Sequence, residues 1–193
     1  MSNAIMNFEN DIVNCIAILK RGGIILYPTD TIWGIGCDAT NDEAVEKIFD
    51  LKKRSHQKSM IMLVADEKDV LKYVASPDLQ VFSYLATTIK PTTVIFDNAI
   101  GVSDKLTGSD GSVAIRVCRD EFCRHLIKRF RKPIVSTSAN ISGDASPDNF
   151  LQISEAVKNG VDYIVRHRQD ETAISQPSVI VKWNKEGIVT IRP

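Results

Sequence analysis

Four groups of residues concentrate chemistry suited to anions and their oxygens. The stretch Tyr27-Pro28-Thr29-Asp30-Thr31-Ile32-Trp33-Gly34-Ile35-Gly36 places two hydroxyls and a carboxylate between a stiffening proline and glycines that admit a ligand or a neighbouring strand. An ordinary turn whose Thr and Asp satisfy local backbone groups accounts for it as well, and only the habit of loops to carry function tilts the balance. The cluster Lys52, Lys53, Arg54, His56 and Lys58 closes a predicted helix. Favourable interaction with the helix dipole explains one or two cations there but not five, whereas a polyphosphate demands both the fork of Arg and the mobile charge of Lys. In Ser136-Thr137-Ser138-Ala139-Asn140-Ile141-Ser142-Gly143, uncharged donors and acceptors follow a strand, a composition suited to ribose, phosphate or carbonyl oxygens. A turn with an N-cap covers Ser142 better than Ser138 and Asn140. Arg116, inside the apolar strand Val113-Ala114-Ile115-Arg116-Val117, either faces solvent or points into a pocket, where a carboxylate or phosphate is its natural mate.

Other groups carry less. The basic run from Arg124 to Lys132 reads as a solvated helix face and C-terminal turn, with only Phe122 and Phe130 interleaved, too few for a nucleic-acid surface. Cys15, Cys37, Cys118 and Cys123 form no C-x-x-C pair and do not group with His56, His125 or His167, so reduced structural thiols are expected and no metal site. No glycine-rich phosphate loop of the G-x-x-x-x-G-K-S/T type occurs.

The elements that must position these residues follow from periodicity. Ile12, Val13, Cys15, Ile16 and Leu19 make a helical stripe over 10–21, stopped by Gly22-Gly23. Strands are expected at 23–27 and 31–37, then a helix capped by Asp42 and ending at Lys52-Lys53-Arg54. A strand at 60–64, helices near 67–74 and 78–87, strands at 93–96 and 112–117, and a helix opened by Asp120 and Glu121 come next. A strand at 134–136, a helix around 148–158, and strands at 162–166, 178–183 and 187–191 complete the chain. Tight strand-to-strand links at both ends, with helical crossovers between, predict a single α/β domain over 9–193 with a twisted mixed parallel and antiparallel sheet flanked by helices. Residues 1–8 are read as a tail, within which Ser2-Asn3-Ala4 has the composition of an expression scar.

Composition bounds the function. The 193 residues carry 24 basic and 24 acidic side chains, which excludes a globally basic nucleic-acid coat and makes any anion site local. No apolar run reaches the roughly 18 residues of a membrane span, and no signal peptide opens the chain, so a cytoplasmic protein is expected.

Taken in order, Tyr27-Pro-Thr-Asp-Thr31 with Trp33-Gly-Ile-Gly-Cys-Asp-Ala39, Lys52-x-Arg54, Ser112-Val-Ala-Ile-Arg116-Val, Ser136-Thr-Ser138-Ala-Asn140-Ile-Ser-Gly, Pro177-Ser178-Val-Ile-Val and Ile191-Arg192 resemble the YrdC-type threonylcarbamoyl-AMP synthase family over about residue 9 to the C-terminus. The resemblance implies an α/β fold around a positively charged cavity, and joining of L-threonine, bicarbonate and ATP into threonylcarbamoyl-adenylate with release of pyrophosphate. The product would serve threonylcarbamoylation of the tRNA adenosine beside the anticodon, through downstream transferase machinery, with direct tRNA contact left open and neither DNA nor a membrane as partner. By motif match, Lys52, Arg54, Ser138 and Asn140 would hold and polarise the phosphates, with Lys58, Ser112 and Arg192 as further nucleotide contacts. Thr31, Arg116, Ser136 and Ser178 would form the threonine side. Mg2+ would arrive with ATP, and no tightly bound organic cofactor is implied. The chain departs from the family at Lys53 and Ser55, where Gly and Pro are usual, and at Trp33, Leu63 and Cys118, where Tyr, His and Pro are. Its Lys90-Pro91-Thr92-Thr93 replaces a Pro-Gly-Pro stretch. A noncatalytic tRNA- or double-stranded-RNA-binding module of the same fold and a paralogue with altered substrate are the competing readings. Retention of both Lys-x-Arg and Ser-x-Asn favours the enzyme, because backbone binding alone has no need of the Ser/Asn loop.

Overall fold

A computed structural model describes residues 8–56, 60–172, 176–184 and 187–193. Helix α1 (Glu9–Lys20) buries Ile12, Cys15, Ile18 and Leu19, and Gly22 at φ 72° ends it. Val13, expected on the buried stripe, is 51% exposed, while the polar Asp11 takes a buried place. The core also reaches one residue beyond the expected boundary: Phe8 is buried and packs edge-on against Phe122.

Strands β1 (Ile25–Tyr27) and β2 (Gly34–Gly36) pair antiparallel, Ile25 opposite Gly36. The second is shorter than predicted. Thr29 Oγ1 accepts from the Thr31 amide and donates to the Ile32 carbonyl, so the polar residues before Gly34 close a turn instead of extending the strand. Helix α2 (Asp42–Lys52) is capped by Asn41, whose side chain accepts from the Ala44 amide; Asp42 is its first residue, beside the positive end of the dipole.

Next come β3 (Ile61–Val64), α3 (Glu67–Val70), α4 (Gln80–Thr87), β4 (Thr92–Phe96) and β5 (Val113–Val117). Helix α5 (Glu121–Phe130) is capped by Asp120 and followed by β6 (Ile134–Ser138). The helix expected around 148–158 is two short pieces, a 3-10 turn at Phe150–Gln152 and α6 (Glu155–Asn159). Asn149 caps the first and Ser154 the second, each by accepting a backbone N–H, so the chain restarts twice within one predicted helix. Strands β7 (Tyr163–Ile164), β8 (Val179–Asn184) and β9 (Gly187–Arg192) follow.

The strands form one sheet in the order β7-β1-β2-β6-β3-β5-β4-β8-β9. Pairs β1/β7, β3/β5 and β4/β8 are parallel and the others antiparallel, as the alternation of hairpins and crossovers predicts. Its central strands contribute Ile35, Met62, Leu63, Ile115 and Val135, all essentially inaccessible. Helices α1 and α5 lie against each other, α1 also meeting β1 and α5 meeting β3. Gly36 is required by packing: a Cβ there would lie 2.5 Å from the Val135 carbonyl and 2.6 Å from the Tyr27 ring. All four cysteines are buried thiols.

Candidate active site

The middle of the sheet borders a cavity of about 200 Å³ lined by Thr31, Trp33, Arg54, Arg116, Ser136, Ser138, Ser178 and Arg192 among others. Each side chain arrives by a separate local rule. Thr31 sits in the β1–β2 turn, its hydroxyl 2.9 Å from that of Thr29. Arg54 follows Lys53, which closes α2 in the left-handed region at φ 50°, so the backbone turns sharply and carries Arg54 out of the helix axis. That conformation is the one glycine adopts without strain, which accounts for the glycine usual at this position in the resembling family. Ser136 and Ser138 alternate along β6 toward the cavity. Ser178 precedes β8 and Arg192 closes β9; Arg192 donates through Nε and Nη2 to the Ser178 carbonyl at 3.1 and 2.8 Å.

Arg116 points inward. Only 3% exposed, it stands opposite Leu63 on one side and Thr93 on the other. Its Nη2 lies 3.0 Å from Asp30 Oδ1, close enough for an ion pair but not aligned for a hydrogen bond. Nε and Nη2 make no hydrogen bond with any described residue, and neither does Asp30 Oδ1. These two nitrogens form one edge of the guanidinium, the edge a carboxylate takes in bidentate fashion.

Among the described residues, no carboxylate lines the cavity and three arginines do. Burial pulls the Arg54 guanidinium below its usual pKa, and burial followed by the charge of Arg116 does the same to Arg192. The cations therefore gain from any anion placed between them.

Lys52 behaves differently from its motif partner. It is 1% exposed, does not line the cavity, and donates to the main-chain carbonyls of Ser138 and Asn140. The Lys52 carbonyl in turn accepts from the Ser142 amide, so the end of α2 is stitched to the Ser138–Ser142 turn. Burial, then repulsion from Arg54, lowers its pKa to about 8. Asn140 turns its amide away to the carbonyls of Ile141 and Asp144 and leaves its buried Oδ1 without a partner among the described residues. Ser112 lies outside the lining and its backbone N–H donates to Asp110. Lys58 lies outside the described residues.

Sequence reasoning passed over three participants. Asp30 was read only as part of the loop, although a buried strand arginine requires a counter-ion and this was the nearby carboxylate. Thr93, fully buried, shares a hydrogen bond with the Ser178 hydroxyl. Ser146 joins the lining from beyond the Ser/Asn turn, without a motif to mark it. Trp33, one of the departures, stacks at a tilt on Phe150 with ring centroids 4.9 Å apart and walls one side of the cavity. Among the described residues, no group of three or more His, Cys, Asp or Glu is placed to hold a metal ion, and no helix is long and apolar enough to cross a membrane.

Known proteins share this fold. Residues 17–193 match the Sua5/YciO/YrdC family, which carries the description telomere recombination. The threonylcarbamoyl-AMP synthase of Idiomarina loihiensis is 36% identical over 148 residues, 75% of this chain and 80% of that protein. That of Riesia pediculicola is 38% identical over 142 residues, covering 71% and 75%. Among solved structures, P. abyssi Sua5 complexed with L-threonine has the same fold at a TM-score of 0.85 and 23% identity, over 96% of this chain. The chain spans about half of that longer Sua5 chain, 54%. The ordered motifs, the mixed sheet and these relatives agree: the chain belongs to the Sua5/YciO/YrdC family.

Proposed function

We propose that the chain is an L-threonylcarbamoyladenylate synthase, acting on L-threonine, bicarbonate and ATP. The observation that carries this reading is Arg116: a buried guanidinium on the wall of a cavity of threonine-compatible hydroxyls, ion-paired to Asp30, whose Nε and Nη2 make no hydrogen bond with any described residue. The names of the relatives and the L-threonine bound to P. abyssi Sua5 support the same substrate.

The amine nitrogen of threonine attacks the carbon of bicarbonate, water leaves, and a carbamate forms. A carbamate oxygen then attacks the α-phosphorus of ATP, the bond to the β-phosphate oxygen breaks, and pyrophosphate departs. Both steps gather negative charge, so positioning and fixed cations suffice without a protein nucleophile. Arg116 takes the threonine carboxylate, with Thr31, Ser136 and Ser178 around the rest of the amino acid. Arg54, Arg192 and Ser138 face the phosphates. Lys52 acts through the turn: its ammonium fixes the Ser138 and Asn140 carbonyls and with them the Ser138 hydroxyl. The cavity of about 200 Å³ fits an amino acid but falls below a typical ligand pocket of ~300 Å³ or more, so the nucleotide lies across its open mouth. Magnesium enters as part of the ATP substrate, which a lining without carboxylates among the described residues suits, because phosphates and water then supply its oxygens. The labile adenylate passes to a transferase that modifies tRNA.

Pure protein incubated with ATP, bicarbonate and L-threonine should release pyrophosphate and form the adenylate only when threonine is present. Pyrophosphate release indifferent to threonine, or none at all, would refute the assignment.

A further inference from the structure

The register of the sheet sets two unlike side chains next to each other on the cavity wall. In the antiparallel pair of β3 and β6, Ile61 stands directly opposite Ser136. Directly opposed residues project from one face with Cβ atoms about 4.5–5.5 Å apart, and both of these line the cavity. A hydroxyl and a branched apolar side chain therefore meet at one spot. The Ser136 oxygen leans toward β2, since a Cβ built on Gly34 would lie 3.2 Å from it. Gly34 also lines the cavity and, having no side chain, does not cover that oxygen.

The other hydroxyls of the wall lack such a neighbour. That of Thr31 is bonded to Thr29, and that of Ser178 to Thr93 and Arg192. Ser138 faces Gly34, which offers no side chain. Thr137 projects from the opposite face of β6, and Ser146 belongs to no strand. Ile180, the other isoleucine that a strand brings to the wall, stands between Thr93, whose hydroxyl is taken by Ser178, and Arg192.

The β-carbon of threonine carries a hydroxyl and a methyl, and a site tells them apart only by placing a polar and an apolar group side by side. The Ser136 hydroxyl can donate to or accept from the first, and Ile61 offers apolar surface to the second. With the carboxylate drawn to the arginines of the wall, these two contacts complete a three-point fit. L-Serine leaves the surface of Ile61 unfilled. L-allo-Threonine exchanges the two substituents, setting its hydroxyl against Ile61, where no partner satisfies it, and its methyl against Ser136.

We propose that Ile61 and Ser136 together read the β-carbon of the amino acid, Ile61 taking its methyl and Ser136 its hydroxyl, so that L-threonine is accepted and L-serine and L-allo-threonine are refused. This rests on the synthase reading in taking threonine as the substrate, and it assigns the choice of side chain to a residue outside the motif-derived set.

The test is pyrophosphate release from ATP and bicarbonate by the whole chain, with L-threonine, L-serine or L-allo-threonine supplied. Wild type should favour threonine over each of the others by at least about tenfold in kcat/KM, the scale of one methyl in an apolar pocket. Ile61→Ala should bring the threonine-to-serine ratio to within about threefold of one, while Ile61→Val, which keeps a branched wall, retains most of the preference. Ser136→Ala should narrow the gap between threonine and allo-threonine. An Ile61→Ala variant that slows threonine and serine by the same factor has lost only structure, and that result overturns the proposal. Should the alanine variants fail to fold, wild type decides: equal kcat/KM for threonine and allo-threonine overturns it. No threonine-dependent pyrophosphate from wild type strikes the synthase reading itself, whereas threonine turnover without discrimination strikes this proposal alone.

Discussion

At the residue scale, the Lys-x-Arg motif joins two side chains with opposite assignments. Arg54 borders the cavity, where the proposed reaction brings the phosphates; Lys52 is sealed beneath the Ser138–Asn140 turn. Arg54→Ala should therefore lower kcat/KM by on the order of 100-fold, the scale of losing one charge-stabilising donor, with the circular dichroism spectrum unchanged. Lys52 should leave a pH signature instead. Its pKa is about 8 when folded against 10.5 when unfolded. The cost of burying its charge is fully present below pH 8. Between about 8 and 10.5 the unfolded chain holds a proton the folded one has released, so this group makes stability rise with pH. Turnover should fall over the same window as the ammonium that fixes the turn is lost. Comparing the pH dependence of Tm and of kcat in wild type and Lys52→Met checks both: the variant should lose the lysine-linked rise in Tm and show low turnover throughout. The motif residues themselves were legible in the sequence, but which of them touches substrate was not, because Lys52 and Arg54 differ only in which side of the chain reversal at Lys53 they leave.

At the scale of elements, most strands and helices could be read from periodicity, since alternation and helical stripes report which face is buried. The misreadings share a cause. Asn41 in place of Asp42 as cap, the Thr29–Thr31 turn in place of a longer strand, and the caps Asn149 and Ser154 inside one expected helix are all side-chain-to-backbone hydrogen bonds of short polar residues. Hydrophobic pattern is silent on such bonds. Packing between elements was equally hidden at Gly36, where β2 meets Val135 and Tyr27. Gly36→Ala should destabilise by about 1–3 kcal/mol, the usual cost of overpacking, seen as a lower urea midpoint with an unchanged m-value.

For the whole molecule, the equality of 24 basic and 24 acidic side chains conceals a segregated site: among the described residues, three arginines line the cavity with no carboxylate beside them, and Asp30, the ion-pair partner of Arg116, sits behind the wall. Long-range closure was the least legible feature. Asp11, near the start, accepts from the Tyr163 hydroxyl and from the amides of Arg166 and His167, more than 150 residues away. It is buried and ties α1 to the end of β7. Asp11→Ala should cost about 2–4 kcal/mol, because two backbone donors lose their acceptor, and the loss is measurable as a fall in Tm with turnover per folded molecule retained. Nothing local marks Asp11 for this role; on a helical wheel it reads as one more surface acid.

The order of the strands carries a consequence for synthesis. The cavity takes Thr31 from the first hairpin and Arg192 from the last strand, and β9 enters the sheet beside β8 after every other strand is in place along the chain. A protein whose contacts are this distant in sequence folds slowly relative to one built from local pairs. On the ribosome, a nascent chain can complete its β1–β2 hairpin and α2 early, but it has no assembled anion cavity until β9 has cleared the exit tunnel. Adenylate production is thus withheld from every incomplete chain by connectivity alone.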